Sequence, residues 1–422
     1  MNRKDNFEIG YANIDEILLY KYHDPTNKYD ITNFVYEINF SEAVTSHCMY
    51  GYLSIVDTYN FIDRVPLLGE EIISIRTKDL FGNEFVKEFW CHKLDTLTVT
   101  DQISSTTYKL HFSSPCDIFA RSKDISRSYN NKKISDVVNN VFDELYNVPS
   151  FPSTLEYEET TGSQTLIIPD LNGIDSMSFL RRRAYSIENK SSNFLFFETK
   201  NKHVFKTHEQ LIKETRDSAQ EFFHNPNVNV SLKNRLDSMN MIHQIGFPTR
   251  YSLTDEQESG AMVTDIAEID LLRKQYILHN YKYNDIFDKY THHQKNALFP
   301  HTPIMIEDFF QEQNNTKTQM VFMDRERENQ YYQSLLGYKT SIKYFTNTIF
   351  CRITIYGRND LNAGDCMYLN LPVFQNLNQG EARPENSFTS GYWTIHTINS
   401  TITSENKYFQ NILLFKDAYS NG

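Results

Sequence analysis

The feature that most restricts how this chain can fold is a repeat: a set of strands near the N-terminus returns, in the same order, near the C-terminus. Leu53-Ser54-Ile55-Val56-Asp57 matches Ile353-Thr354-Ile355-Tyr356-Gly357, and each is followed by a loop and a Gly-acid pair, Gly69-Glu70 or Gly364-Asp365, that leads into a further strand. The only two tryptophans come next, Trp90 after Phe89 and Trp393 after Tyr392. From these points the halves align without a gap, Thr98-Val99-Thr100 on Thr401-Ile402-Thr403, Leu110 on Leu413 and Phe112 on Phe415. The halves differ in length between the Gly and the Trp, where two copies of one fold are expected to diverge. Long-range self-similarity predicts two copies of one β-module, and a bulky indole at a matched position predicts a matched packing role. The expected duplicated core is Leu53, Gly69, Trp90, Leu110 and Phe112 in the first copy, with Ile353, Gly364, Trp393, Leu413 and Phe415 in the second.

Between and around the copies the hydrophobic pattern changes period. Phe34, Tyr36, Ile38 and Phe40 alternate with Glu37 and Asn39, which predicts a strand, and further strands are expected at 50–57, 71–77, 84–94 and 108–112. Ile134, Val137, Val138, Val141, Phe142 and Leu145 recur at helical spacing; a second helix is expected to start near Asp175 as its cap. Strands at 194–198 and 203–206 read as a hairpin around Lys200-Asn201-Lys202. Residues 252–317 are polar and weakly periodic, which predicts a peripheral insert with one or two short helices; a helix at 325–338 then leads into strands at 348–357, 365–371, 392–403 and 408–416. The predicted fold is β-rich α+β: a first β-barrel at 1–118, a mixed α/β domain at 119–215, a second β-barrel at 216–251 and 325–418, and an insert at 252–324. With 422 residues, 40% of them hydrophobic and 14% aromatic, the chain has material for more than one core.

Charge and cysteine usage narrow the function. The 42 Lys and Arg against 54 Asp and Glu leave a net −12 without a basic arm, which argues against sequence-specific nucleic-acid binding and suits a surface that lets DNA pass without adhering. Five cysteines, Cys48, Cys91, Cys116, Cys351 and Cys366, show no CxxC spacing and read as free thiols assembled in a reducing cytoplasm. The polar N-terminus lacks a signal-peptide core, and no apolar run reaches the ~18 residues of a membrane span, so no membrane insertion is expected.

Together the repeat, the run Ile167-Ile168-Pro169-Asp170, the following segment with Phe179, Leu180 and Ala184, and Phe194-Leu195-Phe196-Phe197 make the chain resemble the baseplate hub family of contractile phage tails. That family includes the T-even-type hub and, more distantly, phage late-control proteins and type VI secretion spike hubs. Residues 357–371 and 392–415 resemble the second barrel of that family, and the likeness extends loosely over 8–418. The resemblance implies two tail-tube-like barrels per chain and a homotrimer forming a pseudo-sixfold ring. Such a ring would sit between a hexameric tail tube above and a trimeric spike below, among other baseplate proteins, in a virion assembled in the host cytoplasm. Because the chain stops at Gly422, after its last expected strand, the spike is expected to be a separate polypeptide.

Catalytic and cofactor signatures point the same way. The sequence has no dinucleotide glycine fingerprint, no Gly-Lys of a phosphate loop, no GxSxG elbow and no HExxH helix, so neither an enzyme nor a cofactor is expected. His279, His292, His293 and His301 could converge on a metal, but in so polar a segment they read as solvated loop histidines, and His203 and His208 are read likewise. Glu156, Glu158 and Glu159 could supply a carboxylate pair to a cell-wall or polysaccharide hydrolase, which is the enzyme alternative; as adjacent charges they read as a solvated face. Arg181-Arg182-Arg183 hints at a phosphate patch, although three successive helical residues point in different directions. A tube-initiator adaptor is the remaining alternative.

Overall fold

The computed structural model describes residues 9–100, 105–224, 238–248, 259–297, 317–323, 336–373 and 385–419. The N-terminal part forms β1 Asn13–Lys21, β2 Asp24–Asp30, β3 Val35–Ala43, β4 Tyr50–Asp57, β5 Glu71–Lys78, β6 Glu84–Thr100 and β7 Ser105–Ser113. The middle contains β8 Asp124–Lys132, β9 Leu155–Tyr157, β10 Gln164–Asn172, β11 Phe194–Glu198, β12 His203–Thr207, β13 Gln220–Phe223 and β14 Gln244–Gly246. Next come β15 Val263–Asp270, β16 Gln275–Lys282, β17 Asn296–Ala297 and β18 Lys317–Met323. The last group is β19 Phe350–Tyr356, β20 Cys366–Asn370, β21 Gly391–Thr403, β22 Tyr408–Phe415 and β23 Ala418–Tyr419. The protein is β-rich α+β, as its alternation predicts. The helix Ile134–Leu145 forms where the 3.6-residue period places it, with Val137, Val138, Val141 and Phe142 buried.

One sheet of thirteen strands carries both repeat copies, in the order β14-β19-β22-β21-β3-β4-β7-β6-β5-β1-β2, with β20 and β13 branching from β21. The two expected barrels are therefore joined edge to edge through the antiparallel pair β3·β21, and among the described residues neither closes on itself. Two cores lie against this sheet. Ile17, Ile38, Leu53, Ile73, Phe89 and Phe112 fill the first; Ile353, Ile395, Ile412, Trp393, Phe222 and Tyr338 fill the second. Strand β21 belongs to both, since Ile395 and Ile398 enter the second core and Ile402 the first. A third core joins the helix Ile134–Leu145 to Leu180, Phe194 and Phe205.

Several local expectations change in detail. Asn172, not Asp175, caps the helix Gly173–Arg181, its side chain accepting from the Asp175 amide. Tyr36 is exposed although Ile38 and Phe40 are buried, because the β3·β4 register shifts between Val35 and Glu37 and turns the preceding residues over. Strands β1 and β2, at 13–30, were not apparent from alternation. The segment 252–324 contains a three-stranded sheet, β16-β15-β18, and Ala261, Tyr281, Tyr283 and Phe287 pack into the second core. The helix expected at 325–338 falls mostly outside the described residues, and the described helix is Leu336–Thr348. Among the described residues no helix is long and apolar enough to cross a membrane.

Gly69 and Gly364 stand before β5 and β20 with φ of +90° and +89°, a region that favours glycine. Their surroundings differ: a Cβ on Gly69 would meet nothing within 4 Å, whereas one on Gly364 would lie 2.8 Å from Phe197 Cζ. Gly69→Ala should therefore lose about 1 kcal/mol of backbone strain energy alone, and Gly364→Ala roughly 2–3 kcal/mol, as measured by urea unfolding.

Candidate functional site

The face of the large sheet turned away from both cores forms an extended surface built from paired strands. Its alternation follows from the strand period, which sends Ile38, Leu53, Leu110, Ile398 and Ile412 inward and their neighbours outward. One row of paired residues crosses seven strands: Tyr356, Phe409, Thr401, Asn39, Tyr52, His111 and Lys93. A second runs Thr354, Asn411, Asn399, Ser41, Tyr50, and a third Thr403, Glu37, Ser54, Lys109, Asp95.

Amides and hydroxyls bond along these rows. Thr354 Oγ1 donates to Asn411 Oδ1 at 2.7 Å, Asn39 Nδ2 donates to Thr401 Oγ1 at 3.0 Å, and Ser41 Oγ donates to Asn399 Oδ1. The last two bonds cross the seam between the repeat copies. Charges on the face nearly cancel, with Lys93, Lys109 and Arg352 against Glu37 and Asp95; Lys93 pairs with Asp95 at 2.8 Å, and Lys109 sits 4.5 Å from the Tyr52 ring centre. Chemically this is a broad, polar, near-neutral face without a concentrated field.

The seam is locked from behind. The Asn359 amide donates to Asp79 Oδ2 at 2.8 Å, its side chain donates to the Asn83 carbonyl at 2.9 Å, and the Tyr408 hydroxyl donates to Asn359 Oδ1 at 3.0 Å. Lys200, at the tip of the β11·β12 hairpin, is buried there, donating to the Asn359 carbonyl at 3.2 Å and lying 3.9 Å from the buried Glu42. Burial raises the Glu42 carboxyl to about 7 despite Lys200, so the lock is partly uncharged near neutral pH.

The residues of the expected duplicated core divide. Leu53 opposes Leu110, and Ile353 opposes Ile412, all four buried. Phe112 lies in the first core, while Leu413 is half-buried on the outer side and Phe415 joins a small cluster with Val44, Phe197 and Leu211. The two tryptophans do not occupy matched places. Trp393 is 1% exposed in the second core, donating to the Thr389 carbonyl at 3.1 Å; Trp90 is half-exposed, donating to the Gly69 carbonyl at 2.8 Å and ringed by Tyr22 and Phe119. The bulges give the reason. The β6·β7 register shifts between Cys91 and Lys93, and that of β21·β22 between Ile395 and Thr397, so counting back from each bulge sets Phe89, not Trp90, against Trp393. A one-residue offset in a strand exchanges its faces.

His203, His208, His292 and His293 are buried rather than solvated, whereas His279 is exposed. His292 Nδ1 and His293 Nδ1 each lie 2.7 Å from an oxygen of the fully buried Asp417, and the second nitrogens reach the Phe287 carbonyl at 3.0 Å and Thr394 Oγ1 at 2.6 Å. His279 lies 3.1 Å from Glu268, and His301 is outside the described residues. His203 is buried between Ser153 Oγ at 2.8 Å and Cys116 Sγ at 3.7 Å, and burial pushes it down to about 4.

Sequence reasoning missed two donor groupings, Cys116 with Glu198 and His203, and His47 with Cys48 and Asp117, because they converge only through tertiary packing. Glu198 already accepts from the Met49 amide at 2.7 Å and Lys87 Nζ at 2.8 Å, and burial holds the Cys116 and Cys48 thiols well above their usual range. These are satisfied packing units. The three glutamates are similarly occupied: Glu156 pairs with Lys202 and Lys206, Glu159 with Lys133, and buried Glu158 accepts from the Thr207 amide at 2.8 Å and Asn189 Nδ2 at 2.7 Å. All five cysteines are buried and unbridged.

No family model matches the chain, and no curated protein matches it in sequence. Solved structures do match in fold. The 43 kDa tail protein of prophage MuSo2 from Shewanella oneidensis is similar with a TM-score of 0.55 at 10% identity, over 96% of this chain and 99% of that one. A tail protein from Neisseria meningitidis MC58 is similar with a TM-score of 0.57 at 7% identity, over 95% and 96% of the two chains. A type VI secretion component from E. coli, described as structurally similar to the T4 tail proteins gp27 and gp5, reaches 0.46 at 8% identity over 92% of this chain and 76% of that one, too low to carry an argument. The chain thus has the fold of these phage tail proteins, along nearly its whole length.

Proposed function

We propose that this chain is a structural baseplate hub of a contractile phage tail. In this reading it forms a homotrimer, and each copy contributes two tail-tube-like units, 1–118 and 216–251 with 325–418, to a pseudo-sixfold ring. Residues 119–215 connect the units and 252–324 form an insert. The ring adapts a hexameric tail tube above to a trimeric central spike below, contacts other baseplate proteins, and lines the passage for DNA ejection in the virion.

The observation that carries this reading is the continuous sheet that sets both repeat copies side by side behind one polar face. A wall for moving DNA has to be wettable and must not concentrate positive charge, or phosphates would adhere. The amide and hydroxyl rows, with their nearly cancelled charges, have that character. The sheet also ends in strands β2 and β14, whose outer edges have no partner strand among the described residues. Ring closure would cover such edges, an arrangement that favours an obligate oligomer. No catalytic role is proposed, since the carboxylates of the hydrolase alternative are individually engaged.

Native mass spectrometry and negative-stain class averages of the purified chain test this. A stable trimer with an apparent sixfold ring is the expected result; a persistent monomer that binds neither tube nor spike protein would overturn it.

A further inference from the structure

We propose that the tip of the β15·β16 hairpin docks on an anionic phospholipid surface, its leucines among the headgroups and its cations against the phosphates. The two strands pair antiparallel from Val263↔Lys282 to Asp270↔Gln275, which leaves Leu271-Leu272-Arg273-Lys274 as the turn. Leu272 is 75% exposed, more than any other large hydrophobic side chain among the described residues, and Leu271 beside it is 69% exposed. Tyr276 and Leu278 continue along one face of β16 at 63% and 53%, because alternate strand residues share a side. Exposed apolar side chains that adjoin one another mark an interaction site, whereas scattered single ones need no explanation.

The turn has a fixed backbone. Asp270 Oδ1 accepts from the Leu272 amide at 3.0 Å and from the Arg273 amide at 2.9 Å, and Lys274 takes a φ of +55°. A turn capped by its own carboxylate presents the two leucines with little ordering left to lose on contact.

Charge selects the partner. Residues 271–284 contain Arg273, Lys274 and Lys282 and no Asp or Glu, in a chain whose net charge is −12. The carboxylates of β15 lie back from the tip's surface: Asp270 is buried 3.9 Å from Arg273 Nε, and Glu268 is buried against His279. Asp265 accepts from Asn280 Nδ2 at the other end of the hairpin, about 17 Å along the strand from Asp270. The remaining acidity of the chain is screened beyond about 10 Å at 0.1 M salt, so the tip meets a surface as a cation.

Leucines beside Lys and Arg, with a tyrosine next along the strand, match the layers of a bilayer interface. Apolar side chains reach the acyl boundary, the aromatic ring sits at headgroup level and the cations meet lipid phosphates. A second copy of the chain is the less suitable occupant: the cavity bordered by Arg181 and Arg182 and the one bordered by Arg352 have no Asp or Glu among their described lining residues. The docking is peripheral, since a hairpin tip lies on a bilayer and does not span it. The inference does not rest on the hub reading.

Flotation of the full chain with vesicles tests it, comparing equal parts phosphatidylglycerol and phosphatidylcholine with phosphatidylcholine alone. The anionic vesicles should bind at least about ten-fold more tightly. Arg273→Gln combined with Lys274→Gln should weaken that binding about 25-fold, since each cation near an anionic surface contributes about five-fold. Leu271→Ser combined with Leu272→Ser should weaken it at least about ten-fold by removing the inserted apolar area. All four positions are exposed, so thermal melts of both double variants should match wild type, which separates docking from folding. Absence of binding to either vesicle, or equal binding by wild type and both variants, would overturn the proposal. Equal affinity for the two compositions would overturn the charge assignment. If no vesicle binds and the leucine variant instead lowers the mass of the oligomer, the tip is a contact between copies and the lipid assignment fails.

Discussion

Replacing Asp417 with Asn is expected to lower the unfolding free energy by about 3–5 kcal/mol, because it strands a buried cationic imidazole. Asp417 is fully buried and ties the His292-His293 segment to the end of the chain's last long strand: it accepts from His292 Nδ1 and His293 Nδ1 at 2.7 Å each and from the His293 amide at 3.2 Å, and it lies two residues beyond β22. Burial by itself would raise the Asp417 carboxyl and lower His292. The pairing outweighs it in both, leaving Asp417 well below 3.8 and His292 above 6.5.

The signs set the pH window. The raised His292 contributes stability that is fully present below about 6.5 and is lost as pH rises through its folded pKa. The depressed Asp417 contributes stability present above about 3.8 and lost as pH falls through its folded value. Wild type should therefore gain most from the pair between about pH 4 and 6.5, and the gap between wild type and Asp417→Asn should narrow from pH 5.5 to pH 9. Urea midpoints at those two pH values check this; a gap that widens with pH would contradict the assignment of the charge to His292.

Trp393→Ala should cost about 3–5 kcal/mol, whereas Trp90→Ala should cost roughly 1 kcal/mol, although the two residues align in the repeat. Removing Trp393 opens a cavity in the second core and takes away the ring that lies 4.4 Å from the buried Lys416 ammonium. Lys416, already pushed down to about 7 by burial, would keep its bond to the Phe388 carbonyl at 2.7 Å but lose its aromatic neighbour. Trp90 covers the join between β6 and the helix Pro115–Ser122 with part of its ring in solvent. Phe89→Ala should behave like Trp393→Ala, since Phe89 is the buried residue at the corresponding distance from its bulge. Chemical denaturation of the three variants separates the readings: equal losses for the two tryptophans would restore the gapless alignment.

Most of the strands were legible because a half-buried strand writes its own period, as in Tyr50–Asp57 and Tyr408–Phe415, and the helix Ile134–Leu145 was legible for the same reason. The outer rows were visible only as alternating polar residues. That Asn39 and Ser41 would meet Thr401 and Asn399 was not visible, because those partners lie more than three hundred positions away and no local pattern encodes a pairing at that range.

His292 and His293 were misjudged for a related reason. A polar stretch such as 288–296 looks solvated, but Asp417 arrives from the far end of the chain and, with Phe287 and Thr394, satisfies the ring nitrogens, which makes their burial affordable. Arg181 and Arg182 border a cavity of about 310 Å³ whose other wall includes Lys339 and Lys343, from a helix about 160 positions later, so the triplet alone could not show what it lines.

What the residues alone determined is the repeat itself, the β-rich class, and which stretches become strands, because these depend on composition and on periods of two or a little under four residues. Tertiary structure decided the face on which each repeat residue lies and the joining of the copies through β3 and β21. A single bulge shifts a strand by one residue and exchanges its two sides, and a strand chooses its neighbour by burial summed over the whole molecule. Neither is written in a short stretch of sequence.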